Sequence, residues 1–226
     1  MPRIARLVAT GLPHHITQRG NYKQDVFLDD NDRVKYLFWI QEYSIQYKLS
    51  ILAYCLMRNH VHFIVVPQRE YSLAKTFNAA HMRYSHYFNR KLKVTGHLWQ
   101  GRFYSCVLDE PHLLSAAKYI ERNPVRAKLV IKPWQYQWSS AKAHIDNKEQ
   151  SQIRLNNIFE IMDDMSYDTW KDYIDSKEER LVTDNIRMHT LTGRPLGANK
   201  FIDILEKRFG RRLMPLPIGR PRRIKK

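Results

Sequence analysis

Two histidines one residue apart, His60-Val61-His62, open an apolar run, and their type and spacing suit a cation. In an extended chain, side chains at i and i+2 point to one face, about 6.5–7 Å apart. Two imidazoles at that distance can converge on one ion. Ile64 and Val66 continue that face, while Val61, Phe63 and Val65 line the other. Both faces are mostly apolar, as for a strand near the centre of a sheet, where histidines are costly unless hydrogen-bonded or ligating. A pair of hydrogen-bonded structural histidines is the plainer reading of the bare pattern. Tyr119 and Asn123 are the second pair. Spacing of four puts them on one helix face, with Cβ atoms about 6 Å apart. Asn123 offers a carbonyl oxygen, a hard ligand suited to Mg2+ or Mn2+, and Tyr119 offers a phenol. Taken alone, an ordinary half-buried tyrosine and an asparagine ending a helix before Pro124 look the same.

Chemistry joins the two pairs. Phenols ionise near pH 10, so only about one in a thousand is phenolate at neutral pH, a deficit of about 4 kcal/mol. A tyrosine can still attack a phosphodiester when a cation polarises and orients the phosphate. Two imidazoles, one amide oxygen and waters leave room for phosphate oxygens, and a tyrosine one helical turn before the amide would overlook them.

Positioning these groups requires a series of alternating elements. Leu12 to Gln18 reads as extended, closed by the turn signal Arg19-Gly20-Asn21. Asp29 to Lys48 reads as a helix, capped among Asp29, Asp30 and Asn31, with Val34, Leu37, Phe38 and Ile45 as its apolar stripe. Leu49 to Leu56 and Val61 to Val66 read as strands joined tightly through Met57-Arg58-Asn59-His60. Ser72 to Arg90 is the next helix, with Leu73, Phe77, Tyr84, Tyr87 and Phe88 to one side; Gly96 to Gly101 is a loop, and Phe103 to Leu108 a strand. A last helix opens at Asp109 or Glu110, with Pro111 in its first turn, and runs to about Asn123, where Pro124 is expected to stop it. The order β-α-β-β-α-β-α predicts an α+β, ferredoxin-like architecture, an antiparallel sheet with helices on one face. Three regions follow: a catalytic domain over 1–145, a helical subdomain over 146–207 with Ile158, Phe159, Ile161, Met162, Trp170 and Tyr173 as core, and a basic tail over 208–226.

The 226-residue chain carries 38 Lys+Arg against 22 Asp+Glu, a net charge of +16, which points to a polyanionic partner. Eight of those charges lie from Arg208 onward, as expected of a solvated tail. With 13 Tyr, 9 Phe and 5 Trp available for stacking, nucleic acid is favoured over a membrane surface. No apolar run approaches the roughly 20 residues of a spanning helix. The two cysteines, Cys55 and Cys106, make no disulfide framework and read as buried thiols, with a cytoplasmic location expected.

The stretch YCLMRNHVHFIVV (Tyr54 to Val66) resembles the metal-binding strand of the HUH single-strand DNA transposases. HHITQRGN (His14 to Asn21), LWQGRFYS (Leu98 to Ser105), YIERNPVRAKLV (Tyr119 to Val130), WSSA (Trp138 to Ala141) and GRPLG (Gly193 to Gly197) resemble the REP-associated tyrosine transposases of bacteria, as does the terminal GRPRRIKK. The likeness covers nearly the whole chain, thinnest at 145–185. One departure is Phe63, where an aliphatic residue is more usual. The resemblance implies a ferredoxin-like fold, a divalent metal (Mg2+ or Mn2+) held by His60, His62 and Asn123, and attack by Tyr119 on single-stranded DNA to give a 5′-phosphotyrosine and a free 3′-hydroxyl. Hairpins of repetitive extragenic palindromes are the implied substrate, with no small-molecule cofactor and either a monomer or a homodimer. Further DNA contacts are expected from His15 and Arg19 on the first strand, Trp99, Gln100, Arg102 and Phe103 in one loop, Arg122 and Arg126 at the nucleophile's helix end, and Arg220 and Arg222 in the tail, where Gly219-Arg220-Pro221-Arg222 resembles a minor-groove hook. Each has a plainer reading: a core histidine, a tryptophan anchoring its loop, solvated charges, an electrostatic tail. Two other functions share these features: a non-catalytic RNA-binding sheet, which needs aromatics on an open face, and a duplex-binding regulator acting through the tail.

Overall fold

A computed structural model describes residues 6–146, 151–161 and 165–215. Four strands, β1 (His14–Arg19), β2 (Leu49–Met57), β3 (His60–Pro67) and β4 (Tyr104–Val107), form one antiparallel sheet in the order β2-β3-β1-β4. With α1 (Asp30–Gln46) between β1 and β2 and α2 (Ser72–Leu92) between β3 and β4, this is the expected ferredoxin-like arrangement. Met57 pairs with His60 across the two-residue Arg58-Asn59 connection.

The pleat sorts side chains onto two cores. Ile16, Val61, Phe63 and Val65 pack with Tyr36, Leu37 and Ile40 of α1 and Leu73, Phe77 and Tyr84 of α2. Phe63, the departure noted above, belongs to this side. Ala53, Cys55, Ile64, Val66 and Cys106 face the other way, against α3 (Glu110–Glu121), α6 (Tyr167–Asp175) and α7 (Arg180–Thr192). Helices therefore cover both faces, where the sequence suggested one. Between and after these lie two short helices, α4 (Asn123–Arg126) and α5 (Ala141–Ile145), and the C-terminal α8 (Asn199–Phe209).

The apolar stripe expected on α1 is corrected. Val34, Phe38 and Ile45 are exposed, and only Leu37 of that set is buried. The reciprocal cap between Asp29 and Asp32 fixes the helix entry, and Asp32, Arg33, Tyr36, Ile40 and Ser44 turn inward. Asp32 is stabilised there by Tyr87 and Lys91, so a polar group replaces an apolar one at the buried face. The C-terminal core residues Ile158 and Trp170 are buried, with Phe159, Ile161 and Tyr173 packed beside them; Met162 lies outside the described residues.

Both sheet edges are covered, which removes a template for unwanted pairing. Ser139 bridges Cys55 beside β2, with Leu56 N–H donating to Trp138 O and Ser140 N–H to Tyr54 O. Beyond β4, Leu196 bridges Leu108, its N–H donating to Val107 O. The WSSA and GRPLG stretches are therefore the two edge covers.

Candidate active site

The sheet register brings the first histidine pair to a cleft. His62 lies opposite Thr17 and His60 opposite Arg19, so β1 and β3 present His15, Thr17, Arg19, His60 and His62 to the α3 side. Above them, α3 begins with Asp109 accepting from His112 N–H and Pro111 in the first turn, where its missing N–H leaves nothing unsatisfied. Pro124 does not end the helical path as expected. The break falls at Arg122, and Pro124 sits in the first turn of α4. Arg126 N–H donates to Arg122 O, so the chain stays near-helical and Tyr119 and Asn123 keep their common face.

Tyr119, Asn123, His60 and His62 line one cleft of about 560 Å³ with His15, Arg19 and Gln100. The Tyr119 ring stands edge-on to His62 at 5.7 Å and to His15 at 6.0 Å, and the His60 and His62 rings are 5.0 Å apart. Tyr119, His62 and Asn123 are buried, His60 half-buried. The nucleophile candidate is held on three sides. The Arg126 guanidinium lies 4.1 Å from its ring centre and donates to Tyr119 O at 2.7 Å, while Glu178 grips Arg126 through both oxygens at 2.6 and 2.7 Å. Arg187 Nε donates to the Tyr119 hydroxyl at 3.3 Å.

Hydrogen bonds fix which imidazole nitrogen is free. The Thr190 hydroxyl donates to Ile186 O at 2.7 Å, so its oxygen accepts from His15 Nδ1–H at 2.8 Å. His15 Nε2 then accepts from His62 Nδ1–H at 2.9 Å, leaving a lone pair on His62 Nε2. At His60 the acceptor is Asn59 Oδ1, 2.6 Å from Nδ1–H, so His60 Nε2 also keeps its lone pair. Asn123 Nδ2 donates to that lone pair at 3.3 Å, and a half-turn of the carboxamide would present Oδ1 in its place. Burial holds the rings neutral. It pushes His60 down to about 3, assisted by the Arg19 and Arg126 charges, and His15 down to about 3, assisted by Arg126. His62 is well below the ordinary value for the same reason, with the neighbouring histidines adding to the effect. Two neutral imidazoles with free Nε2 atoms and one amide suit a divalent cation. Among the described residues no cluster of three His, Cys, Asp or Glu side chains forms a metal cage, so the third protein donor here would be the amide.

The family model "Transposase IS200 like" matches residues 9–123, half of the chain and a span containing His60, His62, Tyr119 and Asn123. The chain belongs to the IS200-like transposase family. Its fold is similar to that of a REP-associated tyrosine transposase solved bound to a REP hairpin, with a TM-score of 0.52 and 16% identity, over 70% of this chain and 93% of that one. The resemblance drawn from the motifs is thereby borne out. A protein from Deinococcus radiodurans whose own assignment as a transposase is provisional matches at 22% identity and a TM-score of 0.36, over 54% of this chain and 97% of that one. No curated protein matches the sequence.

The remaining expected contacts of this transposase fall in different places. His15, Arg19 and Gln100 reach the cleft. Trp99 and Phe103 are placed in the core instead. Trp99 packs 4.8 Å from His81 and donates to His81 O, and Phe103 is covered by Phe77 and by the Arg6 guanidinium 3.6 Å away. Arg102 is exposed on the same loop. Arg122 and Arg126 are engaged within the protein: Arg122 donates to Ile174 O at 2.6 Å and Asp175 O at 2.9 Å, and Arg126 to Glu178. Arg220 and Arg222 lie outside the described residues. Sequence reasoning missed Thr17, Tyr104, Arg187, Thr190 and Leu191, all lining the cleft. The last three share one face of α7 at spacings of three and four, and the GRPLG stretch that pins α7 beside β4 was the available signal.

Proposed function

We propose that this transposase nicks and rejoins single-stranded DNA through Tyr119. The observation that carries this reading is the meeting in one cleft of a tyrosine, two lone-pair-bearing imidazoles and an amide drawn from distant segments of one chain. Tyr119 Oη attacks the scissile phosphorus, the phenol proton passes to solvent, and the 3′-oxygen leaves and takes up a proton. The products are a 5′-phosphotyrosine and a free 3′-hydroxyl, and attack by a 3′-hydroxyl on that ester joins strands and releases the phenol. Arg126 holds the ring from its face and from its backbone carbonyl. Arg187 donates to the reacting oxygen and orients it. Arg19, exposed at the cleft, supplies positive charge for a phosphate. Held by His60, His62 and Asn123, Mg2+ or Mn2+ would supply Lewis-acid polarisation of the phosphate.

The structural neighbour is bound to a REP hairpin, and palindromic hairpins with single-stranded flanks are the substrate class we infer for this chain. Among the described residues helices pack on both sheet faces and leave only the cleft open, which disfavours the RNA-binding-sheet alternative. The test is a labelled hairpin oligonucleotide with Mg2+ or Mn2+. The parent should form a denaturation-resistant DNA adduct and Tyr119→Phe none. Equal cleavage by Tyr119→Phe would remove the nucleophile assignment.

A further inference from the structure

The loop leaving β1, residues 20–24, has a geometry that packing does not explain. Tyr22 is 93% exposed. It has φ 50° and Lys23 φ 62°, two successive non-glycine residues in the left-handed region, which sterics disfavour. The exposed ring gains nothing from the core to offset this. Yet the loop is firmly held. Gly20 N–H donates to Asn59 O at 2.8 Å, Asn21 N–H to Leu98 O at 2.8 Å, Lys23 N–H to Gly20 O at 3.0 Å and Gln24 N–H to Asn21 O at 2.9 Å. Gly20 is required, because a Cβ there would stand 2.3 Å from Gln24 O. Asn59 ties the loop to the cleft: its Nδ2 donates to Lys23 O at 3.1 Å while its Oδ1 accepts from His60 Nδ1–H. On the other side Gln100 N–H donates to Arg19 O at 2.9 Å, and both of these residues line the cleft.

We propose that Tyr22 is a stacking platform for an unpaired nucleobase of the DNA strand whose phosphate enters the cleft. The proposal rests on reading the cleft as a single-strand DNA site and adds a base-binding position to it. Every base has a π-face, so a lone ring can bind without reading sequence. Lys23, the next residue, and Arg19, three residues before, are exposed cations available to the adjoining phosphates. The neighbours Asn21, Lys23, Gln24 and Asp25 are polar, so the ring lacks the apolar surround of a protein-binding anchor. A loop already fixed by hydrogen bonds needs no ordering when a base stacks on it, and Asn59 sets the distance between that base and His60.

The experiment measures binding in the full chain carrying Tyr119→Phe, so that no strand is cut. The probe is a hairpin with mixed-sequence single-stranded flanks and 2-aminopurine at successive flank positions; a blunt hairpin is the control. Binding should quench the fluorescence of one flank position. Tyr22→Gly and Tyr22→Leu should abolish that quench and weaken flanked-hairpin binding about 5- to 100-fold, leaving the blunt control unchanged. Tyr22→Phe should retain both. Because glycine accepts the left-handed backbone, Tyr22→Gly should also melt at or above the parent temperature. Parent-like affinity in Tyr22→Leu would overturn the stacking role alone. A Tyr119→Phe protein that binds no flanked hairpin would overturn both this proposal and the active-site reading.

Discussion

Lowering the pH should unfold this protein through its buried neutral histidines, and His81 allows the effect to be isolated away from the cleft. Its ring lies between Tyr36, whose hydroxyl is 3.0 Å from Nε2, and Trp99, and burial pushes it down to about 3. In the unfolded chain it titrates near 6.5. The folded value is the lower one, so the stabilisation is complete above about pH 7.5 and is lost as the pH falls from 6.5 toward 3, where the unfolded chain alone gains the proton. At pH 5 the unfolded ring is favoured by 2.303RT times about 1.5 units, or about 2 kcal/mol. That is a large share of the roughly 5–15 kcal/mol of a typical domain. Buried His14, pushed down to about 4, contributes a similar amount at that pH. Urea unfolding of the parent and His81→Gln in chelator, at pH 7.5 and pH 5, is the assay. Gln keeps a hydrogen-bond partner for Tyr36 but does not titrate, so its loss of stability between the two pH values should be about 2 kcal/mol smaller than the parent's. Equal losses in the two proteins would refute the reasoning, whatever the absolute stability of the variant.

Other substitutions probe the supports of the cleft. Thr190→Val removes the acceptor that fixes the His15 and His62 protons and should weaken Mn2+ binding about 10- to 100-fold by calorimetry, with Thr190→Ser close to the parent; unchanged affinity in the Val variant would count against the ordering of those protons. Arg126→Lys cannot reach Glu178, Tyr119 O and the Tyr119 ring face at once, so the urea midpoint should fall by an amount equivalent to about 1–3 kcal/mol, together with adduct formation. Glu121 is fully buried and accepts from Ser140 and His144 at 2.6 Å each and from Trp170 Nε1–H at 3.0 Å. Glu121→Gln sets an amide donor against one of those donors and should cost about 1–3 kcal/mol, read in denaturant with Trp fluorescence.

The parts of the site that were legible in the sequence rest on strict geometry. Alternation along β3 decided that His60 and His62 share a face with Ile64 and Val66, and the pleat left no other choice. The four-residue step from Tyr119 to Asn123 survived because the helical path bends at Arg122 without unwinding. Side-chain type alone was a poorer guide. Trp99 and Phe103 are equally suited to stacking a base or filling a core, and the core took them. On α1, Val34, Phe38 and Ile45 kept the periodicity of a buried stripe, yet the contacts of Arg33 and Tyr36 turned a different face inward. Arg187 and Thr190 were beyond local reasoning, because their positions depend on how residues 193–197 dock against β4.

That docking has a bearing on the order in which the molecule matures. Ribosomes deliver Tyr119 and both imidazoles well before α7, whose Thr190 orients the histidine protons and whose Arg187 reaches the phenol. A growing chain can build the sheet while the cleft still lacks one wall. On the proposed function, competence to break DNA is withheld until synthesis has passed the segment that seals β4, and unfinished polypeptides carry Tyr119 and the two histidines without the wall that orients them.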